Sequence, residues 1–371
     1  MERYSRASFR GMASVPAAMT LTKLKEDLSG SETISSVTST ETRSKPSIEA
    51  VNLTKRFGER VSVDHLNLKI YPGELYALLG DNGAGKTTTI NMLTTLLRPT
   101  EGRFYICGHD GVAQAEKTKG VFGIVSQDVA IYSELTAYEN LQFIADLYGL
   151  SKEKAKARIA QLLDMSGLSD RANDLAGTFS GGMQRKLSIA NALLHEPQVL
   201  FMDEPTVGLD PAARLQIWEV LMQLRGQGVA ILLTTHYLEE AEILADRIGI
   251  IRLGKLVAEG TIEQLRDKIQ AIRSVEVRLS RAYDANQISD KLAKLDPAFR
   301  SIPCYDALHS TLTFAQPKDM SLTRCLGLIL AWLESEKLSF SKYSTNEPSL
   351  EEVFLALASP TEESSIQTDP K

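Results

Sequence analysis

Apolar residues fall along this chain in two distinct rhythms. Around 48–53 and 66–70 they alternate with polar ones, the period of strands buried on one face. Leu75–Leu79 (LYALL), 199–202 (VLFM) and 229–234 (VAILLT) are apolar at almost every position. Short continuous runs of that kind predict strands covered on both sides, as in a parallel sheet layered between helices. The segment 151–166 is polar overall yet sets Ile159, Leu162 and Leu163 on one helical face. Further on, 248–252 and 255–259 flank Leu253-Gly254 and predict a hairpin. These elements together predict an α/β domain over 48–267.

Beyond Lys268 the pattern contracts. Strands are predicted at 275–279, 312–314 and 338–342, with Leu322, Cys325, Leu326, Ile329 and Leu333 at helical spacing between the last two. Ser349 and Glu352 have the spacing of a capping box just after Pro348. The helix they open turns Leu350, Val353, Phe354 and Leu357 toward a core. The expected result is a small α+β unit over 268–360, serving as an accessory or dimerisation domain, then a loose polar tail at 361–371.

At the other end, 29–47 is dominated by Ser and Thr without an apolar period, so 1–47 is expected to be a disordered extension. Its first 25 residues carry Arg3, Arg6, Arg10, Lys23 and Lys25 against Glu2, a balance that resembles an organellar transit peptide. A loose tail, or a true start at Met12 or Met19, is the simpler expectation.

Composition narrows the function classes. With 371 residues, 43% of them hydrophobic, the chain has room for two ordinary globular domains. A net charge of -6 argues against nucleic acid as the main partner. Cys107, Cys304 and Cys325 are scattered without metal-ligand spacing, which suits a reducing compartment better than a disulfide framework. No apolar run reaches the roughly 18 residues that span a bilayer. The longest, 325–333 (CLGLILAWL), lies within an amphipathic helical pattern. The chain is not expected to cross a membrane itself, though it can dock onto a protein that does.

The turn after Leu75–Leu79 carries the first chemistry. Gly80-Asp81-Asn82-Gly83-Ala84-Gly85-Lys86-Thr87 fits G-x-x-x-x-G-K-[ST] between a strand and a helical stretch, the context that this motif requires. The glycines let backbone N–H groups converge on a phosphate, and the helix start adds positive potential. Lys86 is placed to neutralise β- and γ-phosphates, and the Thr87 hydroxyl to coordinate Mg²⁺. Thr88 completes the candidate nucleotide-binding set. Asp203 ends the 199–202 run, where a magnesium-holding carboxylate belongs. Glu204 follows it and is the candidate base for a water in line with the γ-phosphate.

The stretch FSGGMQRKLSIANALLHEPQVLFMDEPTVGLD, 179–210, resembles the nucleotide-binding domain of ATP-binding-cassette (ABC) transporters, and the resemblance runs from about Ile48 to Gln264. Ser180-Gly181-Gly182-Met183-Gln184 is similar to the family's signature, usually LSGGQ, with Phe179 and Met183 as departures. Ser180 can cap a helix whose first N–H groups, around Gly181 and Gly182, face an incoming anion. Met183, Leu187, Ala190 and Leu194 follow at helical spacing and anchor it.

The resemblance implies a mixed-sheet core with an antiparallel β subdomain and a helical signature subdomain. It implies that Phe57 stacks on adenine, a contact worth about 1–3 kcal/mol. It gives Gln127 a contact with Mg²⁺ and the γ-phosphate, His236 a contact with the γ-phosphate, and Asp210 a place at a dimer seam. Family members commonly carry Pro near the Gln127 position, where this chain has none. His65, His109, His195 and His309 lack such context and read as structural or surface groups.

The ending EPSLEEVFLAL, 347–357, resembles the close of ATP-binding subunits of two-component drug, antibiotic and lipid exporters. That implies an integral-membrane permease supplied as a separate chain, contacted through 127–141. It also implies two copies closing head to tail over Mg-ATP, at the cytoplasmic face of a bacterial cell membrane. Two other classes stay open: an ABC ATPase acting on ribosomes or nucleic acid, and a regulatory or assembly ATPase without a permease. One phosphate loop, one signature and no long heptad run weigh against the first.

Overall fold

The computed structural model of the protein describes residues 45–268, 274–292, 295, 299, 304–306, 309–317, 320–346 and 349–358. The expectations for 1–44 and for the polar tail lie outside the described residues. Order is already present at Ser47, whose N–H donates to Ile70 O.

The path begins with β1 (Ile48–Phe57), β2 (Arg60–Ile70) and β3 (Leu75–Leu79). It continues through α1 (Lys86–Leu93), β4 (Glu101–Ile106), β5 (His109–Asp110), α2 (Ala115–Lys119) and β6 (Phe122–Val125). A helical segment follows, made of α3 (Ala137–Leu147), α4 (Lys152–Met165) and α5 (Gly181–Leu193). The chain then returns to alternation with β7 (Val199–Asp203), α6 (Pro211–Gly226), β8 (Ala230–Thr235), α7 (Leu238–Leu244), β9 (Arg247–Arg252), β10 (Lys255–Gly260) and α8 (Ile262–Lys268).

The long alternating strands make an antiparallel sheet, β2-β1-β4-β5, while the continuous apolar ones make the central sheet, β10-β9-β3-β8-β7-β6. In the latter, β9, β3, β8, β7 and β6 are parallel neighbours and β10 closes the edge as an antiparallel hairpin. Successive side chains on a strand point to opposite faces, so each apolar run feeds two cores. Val199 and Phe201 of β7 join Tyr76, Leu78 and the antiparallel sheet, whereas Leu200 and Met202 join the helical side. That two-sided burial is why these strands are apolar throughout.

Helix starts are set by side-chain oxygens that satisfy first-turn N–H groups. Thr136 and Glu139 form a reciprocal capping box for α3, Ser151 caps α4, Ser180 caps α5, and Asp210 with Pro211 opens α6. The buried faces of α3, α4 and α5, including Leu141, Ile159, Leu162 and Leu187, share one core with α6.

The remainder comprises β11 (Ser274–Leu279), α9 (Ala285–Leu292), β12 (Cys304–Asp306), β13 (Thr311–Ala315), α10 (Leu322–Ser335), β14 (Phe340–Asn346) and α11 (Leu350–Ala358). The strands form an antiparallel sheet, β12-β13-β11-β14, covered by Ile288 of α9 and by Cys325, Ile329, Trp332 and Leu333 of α10. Leu322, the first of the residues at helical spacing, stands exposed at the helix start, and Trp332 joins the core. The last strand starts at Phe340, two residues later than the pattern predicts. Lys337 adopts φ 54°, and Leu338 N–H bonds back to Leu333 O, so a left-handed cap with its buried leucine occupies those positions.

Helix α11 leaves that small sheet and returns to the first domain. Its Leu350 and Val353 are buried with Ala77, Leu79, Ile248, Ile250, Ala258 and Leu265. No helix among the described residues is long and apolar enough to cross a membrane. Because Leu350 packs against the first domain, Leu350→Ala should lower that domain's stability by about 2–5 kcal/mol. Urea unfolding followed by the emission of Trp218, on α6, in a Trp332→Phe background measures it.

Candidate active site

Strand β3 ends in a loop that only glycine permits at two points. A Cβ on Gly80 would stand 2.4 Å from Ile251 O, so the loop passes tightly under β9. Gly85 has φ 111°, and a Cβ there would meet Ser62 O at 2.5 Å. Gly85 is also the N-cap of α1 and provides no side-chain cap, so the first-turn N–H groups remain available to an anion.

Lys86, only 4% exposed, is oriented by that loop. Its ammonium donates to Gly80 O at 2.6 Å and Asp81 O at 3.2 Å, and lies 3.1 Å from Glu204 Oε1. Glu204 is 7% exposed, and its second oxygen lies 3.1 Å from His236 Nδ1. That ring nitrogen is off the hydrogen-bonding line, so the contact is one of proximity. Buried charges persist where they are paired and hydrogen-bonded, and here the pairing is between the phosphate loop, the end of β7 and the end of β8.

Glu204 adopts φ 46°, a left-handed conformation that costs a non-glycine residue about 1–2 kcal/mol. Its N–H is held by Thr234 O and by Thr234 Oγ1, both at 3.1 Å. The same hydroxyl donates to Asp203 Oδ1, because parallel pairing sets Asp203 beside Thr234. One threonine thus fixes the side chain of Asp203 and the main chain of Glu204.

These groups surround a cavity of about 570 Å³ lined by Phe57, Asp81, Asn82, Gly83, Gly85, Lys86, Thr87, Thr88, Gln127, Glu204 and His236. Arg60, Ser62 and Val207 line it too, and sequence reasoning did not single them out. Phe57 presents a ring that is 51% exposed, with the Lys55 ammonium 5.2 Å from its centroid. Gly80 and Ala84 contribute only the turn behind the lining, and Asp203 stands buried behind it.

Ser180, Gly181, Gly182 and Asp210 do not line the cavity. Ser180 accepts Met183 N–H at 3.3 Å, and Asp210 accepts Ala213 N–H at 2.9 Å. Ser180, Gly181 and Asp210 are exposed, while Gly182 lies against Ala213. They therefore form a second surface, where α5 meets α6.

Arg185 links the two surfaces. It is buried in α5 and donates to Ser126 O at 2.5 Å and Gln127 O at 2.6 Å. Burial holds its guanidinium below the usual arginine pKa, with Asp128 and Asp203 pulling the other way. Sequence reasoning missed both Arg185 and Thr234. A threonine closing the apolar 229–234 run was the one available signal for the latter.

A hydroxyl on Thr87, an amide on Gln127 and a carboxylate on Asp203 are hard oxygen donors, a set that suits Mg²⁺ shared with phosphate oxygens rather than a softer metal. Among the described residues no group of three His, Cys, Asp or Glu side chains converges on one point. The donor chemistry therefore fits an ion that arrives with its nucleotide.

The protein-family description "ABC transporter" matches residues 63–207. The chain is 35% identical to the linearmycin resistance ATP-binding protein LnrL of Bacillus subtilis, over 85% of this chain and 99% of that protein. It is 39% identical to the daunorubicin/doxorubicin resistance ATP-binding protein DrrA of Streptomyces peucetius, over 84% and 92% respectively. Among solved structures, an ATP-binding subunit of an ABC transporter matches with TM-score 0.56 at 31% identity, covering 67% of this chain and 99% of that one. A dimeric ATP-binding cassette in a post-hydrolysis state with ADP and Pi matches with TM-score 0.53 at 29% identity, covering 58% and 98%.

Because the Thr234 hydroxyl serves two buried groups at once, Thr234→Val should cost about 1.5–3 kcal/mol of stability, the scale of a hydrogen bond to a charged group. Denaturant titration at neutral pH measures this, and a midpoint equal to the parent's would contradict the assignment.

Proposed function

Because this chain belongs to the ABC transporter family and is an ATPase that binds nucleotide, we propose that it is the motor half of an exporter, working with a permease on a separate chain. The observation that carries the proposal is the split between its two surfaces. Ser180, Gly181, Gly182 and Asp210 stand clear of the chain's own cavity, so a second copy is needed to bring them to a nucleotide. Two copies packed head to tail would each complete the pocket that the other begins. The relative of known structure that is itself a dimeric cassette supports this arrangement.

Within one pocket, the first-turn N–H groups of α1 and Lys86 hold the phosphates, and Phe57 offers its exposed face to adenine. Thr87, Gln127 and Asp203 would hold Mg²⁺, which when bound supplies charge neutralisation at the phosphate oxygens. Glu204 accepts a proton from the attacking water, a contribution typically of about 10²–10⁴-fold. His236, whose Nδ1 lies 3.1 Å from Glu204, lines the same cavity and would reach the γ-phosphate from there. ATP closes the pair because it binds the closed arrangement more tightly than the open one, and hydrolysis removes that difference.

Contact with the permease falls to the segment after Gln127. Tyr132, within 127–141, is exposed, and its ring meets that of exposed Phe143, just beyond, edge to face at 4.9 Å. Exposed aromatic rings paired on one short segment mark an interaction surface. Through it the chain would sit peripherally at the cytoplasmic face of the membrane. Export is supported by relatives whose names record drug resistance and Nod factor export.

Glu204→Gln should lose at least about a hundredfold in turnover, retain Mg-ATP, and accumulate as a dimer in light scattering after size-exclusion chromatography. Parent-like turnover would remove Glu204 from the chemistry, and a strictly monomeric Mg-ATP complex would contradict the shared pocket. Lys86→Ala removes the only ammonium in the lining among the described residues and should weaken ATP binding more than about tenfold by nucleotide titration, since hydrogen bonds to charged groups contribute about 1.5–3 kcal/mol.

A further inference from the structure

The site's carboxylates are not the only buried acid near the cavity. Glu240, on α7, is 1% exposed. Its Oε1 accepts two hydrogen bonds, from the Thr206 hydroxyl at 2.9 Å and from the Trp218 indole N–H at 3.2 Å. Its other oxygen is buried without a hydrogen bond of ordinary geometry. Burial pushes the Glu240 carboxyl pKa up, while the Thr235, Thr206 and Trp218 donors and the Arg214 charge draw it back down.

What distinguishes this acid is where its partners lie. Thr206 is in the turn that begins at Glu204: Val207 N–H bonds to Glu204 O, and Leu209 N–H bonds to Thr206 O. Trp218 is on α6, the helix that Asp210 caps. Thr235 directly precedes His236, and its hydroxyl accepts Tyr237 N–H at 2.9 Å. Arg214, also on α6, lies 4.8 Å from the Tyr237 ring centroid, and that ring stands 4.2 Å from His236.

Three segments that carry proposed site residues therefore meet on one buried carboxyl. A purely structural role would be filled as well by an apolar side chain, since replacing a buried ionisable group by a well-packed hydrophobe is often neutral or stabilising. Glu204, at φ 46°, needs its following turn held. Thr206 and Glu240 supply that hold from outside the cavity.

We propose that Glu240 is a positioning residue for ATP hydrolysis, fixing the turn after Glu204 relative to His236 and to the helix capped by Asp210. The inference rests on the reading of Glu204 as the base. Glu240 does not line the cavity and acts through Thr206 and Trp218.

The test is steady-state ATPase of the full chain together with Mg-ATP titration for Glu240→Leu, Glu240→Gln and Thr206→Val. Glu240→Leu should lower kcat by about tenfold or more and Thr206→Val by about three- to tenfold, each with Mg-ATP affinity within about twofold of the parent. Glu240→Gln, whose amide oxygen can accept the same two bonds, should return kcat to within about threefold. In a Trp332→Phe background the remaining indole is Trp218, and its emission should shift to the blue in Glu240→Leu but not in Glu240→Gln.

Parent-level kcat in Glu240→Leu overturns the proposal, as does a Glu240→Gln enzyme as slow as Glu240→Leu. Should Glu240→Leu fail to fold, Thr206→Val decides, and an unchanged kcat there overturns it. Glu204→Gln run alongside separates the two ideas. Normal turnover in that variant sinks the assignment of the base, whereas a silent Glu204→Gln with unaffected Thr206→Val and Glu240→Leu sinks only the role of Glu240.

Discussion

Parallel pairing is the constraint on which the rest of the molecule depends. Because β9, β3, β8, β7 and β6 run the same way, the loops leaving β3, β6, β7 and β8 emerge along one edge. Lys86, Gln127, Glu204 and His236 are distant in sequence and meet there. A parallel sheet must also be covered on both faces, which the alternation along β7 achieves by sending Val199 and Phe201 one way and Leu200 and Met202 the other. The apolar runs and the chemistry at their ends are two consequences of the same arrangement.

Charge at that edge is managed away from solvent, with Lys86 and Glu204 both buried. An unpaired ion buried as deeply as Lys86 or Glu204 would cost several kcal/mol. The ammonium is offset by two carbonyls and one carboxylate, and the strained main chain of Glu204 by both oxygens of Thr234. A phosphate arriving at Lys86 therefore meets a side chain whose rotamer freedom has already been lost on folding, and less entropy remains to be given up on binding.

The phosphate loop was legible in the sequence because its spacing is its chemistry: a glycine at position 85 is demanded by φ 111° and by the nearness of Ser62 O. Asp203 and Glu204 were legible because they end an apolar run. Arg185, Thr234 and Glu240 were not, because their partners are carbonyls and side chains from other segments. Arg185 lies 58 and 59 residues from the carbonyls it holds, and an arginine three positions after a glycine pair reads as solvated until the fold buries it. The same holds for α11. Ser349 and Glu352 do cap it reciprocally, so its start could be read, yet an apolar face does not say which core will receive it. Leu350 and Val353 joined the first domain rather than the adjacent small sheet.

The exposed surface at Ser180 and Asp210 is mechanically continuous with the chain's own cavity. A Cβ on Gly182 would stand 2.7 Å from Ala213 Cβ, so α5 and α6 pack closely where their caps lie. From α5, Arg185 reaches the carbonyls of Ser126 and Gln127. From α6, Trp218 reaches Glu240 and through it the turn that follows Glu204. Both links are short, buried and directional, so they resist sliding where apolar contacts would permit it. A load placed on the caps therefore arrives at Gln127 and at Glu204 by separate routes, one through a guanidinium and one through a carboxyl. In the proposed head-to-tail pair, a phosphate from the partner's pocket resting on these caps would in this way bias hydrolysis without touching the reacting water.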